Sequence, residues 1–120
     1  MCGYKYRDIL LREMGFQNYK YYLSSELWRE DIRPRVIDKY NEECMLCEEK
    51  CDSPEIHHLE YSKHNLLGES LDGMIVLCRT CHKRAEFTRA EGGKKEKRSL
   101  TEANNYITDM IIENGMTNVL

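Results

Sequence analysis

The sequence predicts an α+β domain on three observations. Amphipathic segments occupy both ends of the 120-residue chain. Two short β-prone stretches, "EIHHLEY" and "DGMIVLC", lie between them. Paired C-x-x-C motifs bracket those stretches, Cys44-Met45-Leu46-Cys47 before and Cys78-Arg79-Thr80-Cys81 after. A chain of this length makes one domain, and folding removes roughly 65% of its unfolded surface from water. With 41% hydrophobic and 32% charged residues it reads as globular rather than disordered.

Taken in order, "YRDILLREMG" has apolar residues at helical spacing and a stop at Gly15. "FQNYKYYL" carries no decisive pattern. The Tyr and Lys cluster from Tyr4 to Tyr22 can stack and charge-pair with nucleic acid, but a half-buried amphipathic face is the expected reading. Ser24 or Ser25 can cap a second helix, with Leu27, Trp28, Ile32, Val36, Ile37 and Tyr40 approximating one face. Pro34 has no amide donor and should kink or interrupt it. Trp28 and Tyr40 are expected in the core. "CMLCEEKC" reads as a tight knuckle, followed by turn residues Asp52-Ser53-Pro54. "EIHHLEY" is then a strand, "SKHNLLGES" a loop turning at Gly68, and "DGMIVLC" a second strand. "CHKRAEFTRAEGG" reads as a helix ending at its glycine pair, and "GGKKEKRS" as a linker. Ser99-Leu100-Thr101-Glu102 matches a capping box. It opens a last helix with Tyr106, Ile107, Met110 and Ile111 on one face and Gly115 as its stop. The expected division is a helical region over 1–42, a strand–strand–helix module over 43–90, and a basic linker with the C-terminal helix over 91–120.

No apolar run approaches the roughly 20 residues of a membrane span, and "MCGYKYRDILLREMG" lacks the apolar segment of a secretory signal. The expectation is a cytoplasmic protein without a membrane partner. Six cysteines in a reducing compartment are poor candidates for disulfides. Two C-x-x-C turns can present four thiolates tetrahedrally, as zinc accepts in closed structural sites. Cys44, Cys47, Cys78 and Cys81 are therefore the expected ligands of a structural zinc. Cys51 is an alternative to Cys47, and Cys2 is left over. Such a site contributes on the order of 10 kcal/mol to folding.

His57 and His58 sit side by side in the first strand, where neighbours point to opposite faces. One can ligate a metal while the other remains a free base that titrates near neutral pH. His82 follows the second knuckle, and Glu86 lies four residues later on the same helical face. His57, His82 and Glu86 can thus surround an open metal site. The net charge of −3 argues mildly against sequence-independent nucleic-acid binding. Its distribution is uneven, however: "NEECMLCEEKCDSPE" is acidic and "CRTCHKRAEFTRAEGGKKEKR" strongly basic, which allows a local phosphate-attracting face. Arg79, Lys83, Lys94, Lys95 and Arg98 are the candidate nucleic-acid contacts.

In this order and spacing, "CMLC", "IHHLEY", "LLGE" and "IVLCRTCHKRAE" resemble the HNH endonuclease family in its four-cysteine zinc form, as in small bacterial and phage members. "YYLSSELWREDIRPRVIDKYNEEC" also resembles the helix leading into its first knuckle. The likeness runs from about Tyr21 to Glu86. It implies a ββα-metal core: two antiparallel strands and a helix gripping one divalent ion. It implies that His57 and His82 ligate that ion and that His58 is the general base activating water. It further implies hydrolysis of a DNA phosphodiester, leaving a 5′-phosphate and a 3′-hydroxyl. Two positions depart from the pattern. Gly73 stands where the family often has Asn or Asp to brace the loop, with Asp72 as a neighbouring substitute. Glu86 stands where a last His is frequent, which suggests Mg²⁺ or Mn²⁺ rather than Zn²⁺ at the catalytic site. The rival expectation is a non-catalytic zinc-stabilised module that binds DNA or a protein.

Overall fold

In the computed structural model, which describes residues 3–89, 93 and 95–113, the chain opens with helices α1 (Gly3–Glu13) and α2 (Tyr19–Leu23). A π-helical turn, Leu27–Ile32, runs directly into α3 (Arg33–Lys39). Next come β1 (Glu55–His58), the short α4 (Lys63–Leu66), β2 (Met74–Leu77) and α5 (Arg79–Glu86). A hairpin of β3 (Phe87–Arg89) and β4 (Lys95–Lys97) leads to α6 (Leu100–Glu113). The architecture is α+β, with two small antiparallel strand pairs set among helices. No helix among the described residues is long and apolar enough to cross a membrane.

Local chemistry explains most boundaries. Asn18 caps α2 by accepting the Tyr21 amide at 3.0 Å, so the undecided "FQNYKYYL" is helical in its second half. Ser25 Oγ accepts the Trp28 amide at 3.2 Å and starts the next segment. Pro34 does not break that segment. The turn before it widens to π spacing, with the Arg33 amide donating to Trp28 O, and Pro34 falls in the first turn of α3 where no amide is required. The capping box of the last helix is present in both directions, Glu102 N to Ser99 Oγ at 3.2 Å and Ser99 N to Glu102 Oε1 at 3.0 Å.

Three expectations need correction. "SKHNLLGES" is not all loop, because Ser62 and Asn65 form a reciprocal capping box around α4. The helix after the second knuckle stops at Glu86 rather than at the glycine pair. Phe87 turns extended (φ −127°, ψ 142°), and Phe87-Thr88-Arg89 pairs with Lys97-Glu96-Lys95. Lys95-Glu96-Lys97 within "GGKKEKRS" is therefore a hairpin strand instead of linker, and that hairpin crosses the expected boundary at residue 90. Arg98 closes the α5 end by donating to the carbonyls of Arg84 and Ala85. Cys2, Lys94 and Gly115 lie outside the described residues.

Period-two alternation in the central sheet assigns its two faces. β1 and β2 are antiparallel with Ile56 opposite Val76 and His58 opposite Met74. These residues face the N-terminal helices, where Leu10, Leu11, Tyr22, Trp28, Ile32 and Val36 form one core together with Leu66 of α4. The alternate residues Ile75 and Leu77 face the other way, against Cys44, Met45, Leu46, Cys81, Ala85, Ile107 and Ile111. β2 is buried on both faces, which is why it reads as an unbroken apolar run. Each such aliphatic side chain contributes about 1.5–3 kcal/mol by its removal from water. The Tyr22 hydroxyl is fully buried but donates to Leu66 O at 2.8 Å, so no polar tip is stranded.

Gly68 locks the α4 loop against α3. Its φ is +78°, Arg35 Nη2 donates to its carbonyl at 2.8 Å, and an added Cβ would meet Arg35 Nη2 and Ile32 Cγ1 at 2.7 Å. Gly15 has φ +97° but open space around it. Urea unfolding should show Gly68→Ala losing about 2–4 kcal/mol, strain plus overpacking, and Gly15→Ala only about 1 kcal/mol.

Candidate active site and metal centres

The first knuckle is built by a tight reversal. Glu43 bridges to Lys50, the Cys44 amide donates to Glu49 O at 2.9 Å, and Glu48 takes φ 62° to close the turn. Met45 N donates to Val76 O at 2.9 Å, docking this knuckle on the edge of β2 away from β1. The second knuckle is the start of α5, where Cys78 is the N-cap and its sulfur accepts the Cys81 amide at 3.4 Å. Ligand atoms of Cys44, Cys47, Cys78 and Cys81 all lie within 4.8 Å of one another. Burial and then mutual repulsion push the Cys47 and Cys81 thiols up. Burial also acts against ionised Cys44, but amides around it reverse the effect and lower its pKa. Crowded thiols with amides aimed at sulfur suit a cation that relieves their repulsion. The cluster can hold a metal such as zinc. Cys51 is not among the four. Its Sγ lies 3.8 Å from Glu49 O, and burial, reinforced by the neighbouring thiols, raises its pKa to about 11.

The strand alternation carries Glu55 and His57 to the face that meets α5 and α6. There His82 sits between two carboxylates. Its Nδ1 is 2.8 Å from Glu55 Oε1. Its Nε2 is 3.1 Å from Glu86 Oε1 yet is buried and lacks a hydrogen-bonding alignment. Burial alone would lower the His82 pKa, but Glu86 and Glu55 more than reverse this and raise it. The contact with His82 holds the Glu86 carboxyl below its ordinary range. Ligand atoms of His57, His82 and Glu86 lie within 4.8 Å of one another, a second set that can hold a metal ion.

The hydrogen-bond network assigns the tautomers. Asn104 on α6 donates its Nδ2 to Leu59 O, so its Oδ1 faces His57 Nε2 at 2.9 Å as an acceptor. His57 therefore carries its proton on Nε2 and offers the Nδ1 lone pair. In His82 the Nδ1 proton goes to Glu55, leaving Nε2 to face Glu86 and His57. Partners of this kind fix ring orientation and strengthen metal ligands. Burial lowers the His57 pKa, which favours the neutral ring that a ligand requires.

His58 faces the opposite way. Its ring lies between Trp28, centroids 5.6 Å apart, and Tyr61, 4.8 Å apart, with Tyr19 edge-on at 6.3 Å. Both ring nitrogens are buried without a hydrogen-bond partner. Burial, with His57 and Arg7 nearby, lowers its pKa to about 3, so the ring is neutral at physiological pH. The two faces nevertheless meet at one place. Among the described residues β1 has no strand partner on its outer edge, and a cavity of about 530 Å³ runs along that edge from Pro54 to His58. His57, His58, His82 and Glu86 all line it, with Arg7, Arg33 and Lys97 at its sides.

Gly73 stands at φ +83° where an added Cβ would meet Glu60 Cγ at 2.9 Å, so the backbone here excludes a side chain. Asp72 does not replace one: it is exposed and 3.7 Å from Lys39 Nζ. The loop is braced from another position. Buried Asn65 donates Nδ2 to Glu60 O at 2.8 Å and accepts the Ser62 amide at 3.0 Å. Among the expected nucleic-acid contacts, Arg79 is turned to Glu55 at 3.4 Å, and Lys83, Lys95 and Arg98 line a different cavity. Sequence reasoning missed Glu55, Asn65, Asn104, Arg7, Arg33 and Lys97. Glu55, two residues before His57 on the same strand face, had a readable signal.

Metal analysis after gel filtration should find one tightly held Zn²⁺ per chain, lost in Cys47→Ser but retained in Cys51→Ser. Isothermal titration with Mn²⁺ should show Asn104→Leu weakening the second centre by about 10–100-fold while that zinc remains. No family model, no curated protein and no solved structure matches the chain.

Proposed function

We propose that this protein is a metal-dependent DNA endonuclease of HNH type, in which the thiol cluster is a structural zinc site and the β1–β2–α5 unit is a ββα-metal core. The observation that carries the proposal is convergence: ligand atoms of His57, His82 and Glu86 lie within 4.8 Å at a cavity that buried His58 also lines and that is flanked by three cations.

His57, His82 and Glu86 would hold a divalent ion, Mg²⁺ or Mn²⁺, which would supply stabilisation of the charge that develops in phosphodiester hydrolysis. The chain supplies the rest. Asn104 and Glu55 hold the two imidazoles in the tautomers that ligation needs. Arg7, Arg33 and Lys97 give the cavity the sign that attracts a phosphodiester. Arg7 is held at its place by Tyr19, whose ring centroid lies 4.1 Å from the guanidinium carbon. His58 is neutral and can accept the proton of an attacking water. Alone it is a weak base, but a phosphodiester seated beside the ring favours the imidazolium and strengthens it. Trp28 and Tyr61 clamp the ring and limit its rotation. The rival reading, a non-catalytic zinc module that binds DNA, is favoured by one observation: both His58 nitrogens are buried in an aromatic sandwich.

Nicking of supercoiled plasmid separates the two. With Mg²⁺ or Mn²⁺ the wild type should convert supercoiled to open-circle DNA, and His58→Ala should reduce the rate about 10²–10⁴-fold. DNA retention without nicking under any of these metals supports the binding module.

A further inference from the structure

The face of α5 that turns away from His82 and Glu86 carries Lys83 and Arg84. Together with Lys95 on β4 and Arg98 they line a second cavity of about 460 Å³, whose remaining walls include Phe87 and Tyr106. Among the described residues, no carboxylate lines it. Lys83, Arg84 and Lys95 form no ion pair among the described residues. Charges near a helix C-terminus are favourable in themselves, which accounts for those on α5 but not for Lys95, brought in by the hairpin. The arrangement is also partly rigid. Arg98 is anchored on the carbonyls of Arg84 and Ala85 and sits 4.5 Å above the Tyr106 ring. It thereby covers carbonyl ends that would otherwise repel an anion. Lys95 Nζ sits 4.1 Å above Phe87.

Like charges gathered on one concave surface repel one another, and a ligand rich in negative oxygens relieves that repulsion. One face of each ring is already covered, Phe87 by Lys95 and Tyr106 by Arg98, which leaves less platform for nucleobase stacking. What remains is a set of N–H donors suited to phosphate oxygens. α5 separates this cavity from the one along β1, and β4 touches both, since Lys97 lines the first and Lys95 the second. A helix with its side chains is about 10–12 Å across, and phosphates advance about 3.4 Å along the axis of a strand.

We propose that the second cavity grips backbone phosphate of the same DNA whose scissile bond enters the first, at least three nucleotides away along the strand. The substrate is then a polymer, read here without base preference. This rests on the endonuclease reading for the first cavity, and the measurement is chosen to be independent of cleavage.

The test compares the full chain with Lys83→Ala/Arg84→Ala/Lys95→Ala. Fluorescence anisotropy with a duplex of about 20 base pairs, roughly 68 Å long at about 3.4 Å per step and so well beyond the helix width of about 10–12 Å between the cavities, is run without Mg²⁺ or Mn²⁺ over a range of salt. Three phosphate contacts at about 0.9 each should lower the steepness of log affinity against log salt by about 2.7, and Lys83→Gln alone by about 0.9. Circular dichroism and zinc content should stay at wild-type values, since these side chains support neither. In cleavage, the triple variant should raise KM for the duplex and leave a dinucleotide substrate unaffected. An unchanged salt slope overturns the proposal, whether or not the wild type nicks DNA. So does competition by inorganic phosphate with no effect of the substitutions on duplex binding. If no cleavage is seen at all but the slope falls as stated, the phosphate grip stands and the endonuclease reading fails.

Discussion

The Cys78 sulfur is at once the end of the central sheet, the cap of α5 and a member of the thiol cluster. It accepts the Cys81 amide and lies 3.8 Å from Cys47 Sγ. This junction fixes where α5 begins, and the 3.6-residue period then fixes where His82 and Glu86 point. The same junction draws in the first knuckle, which is hydrogen-bonded to β2 through Met45. Displacing α5 by one turn would move His82 about 5.4 Å, further than the separation that defines the second ligand set. The relative placement of sheet and helix is thus a condition for any chemistry at the cavity.

Around that junction the charged groups are arranged in pairs of opposite effect. Glu55 and Glu86 favour a proton on His82, whereas burial disfavours one on His57 and His58. Three imidazoles therefore differ in how readily they take up a proton within one small region, with no change of residue type. The cause is the local supply of carboxylates: His82 has two, His57 has the amide of Asn104, and His58 has aromatic rings only. The environments come from different layers, since His57 looks toward α6 and His58 toward the N-terminal helices.

Features that repeat along the chain at short range were legible in the sequence. The C-x-x-C pairs, the strand with adjacent histidines, the apolar β2 and the Ser99–Glu102 cap each occupy fewer than ten residues and follow local rules. The hairpin was not legible, because Lys95-Glu96-Lys97 is exposed throughout and has no apolar alternation to announce a strand. α4 is shorter than one full amphipathic repeat. The π-helical turn was hidden because Pro34 signals a disturbance without saying whether the chain breaks or widens. Asn104 and Arg7 act through tertiary contact alone, and nothing in their own neighbourhoods marks them. Asn65 is an intermediate case: it lies three residues after Ser62, a capping pattern, but its role in bracing the loop needed the structure.

The cavity along β1 draws Arg7 from the first helix and leans through His57 on Asn104 from the last. These two residues are almost a full chain length apart. During synthesis from the N-terminus, both knuckles and both histidines emerge before Asn104 does. A nascent chain therefore owns every ligand while still lacking the amide that orients one of them, and the finished geometry belongs only to a polypeptide in which α6 has been made and has docked.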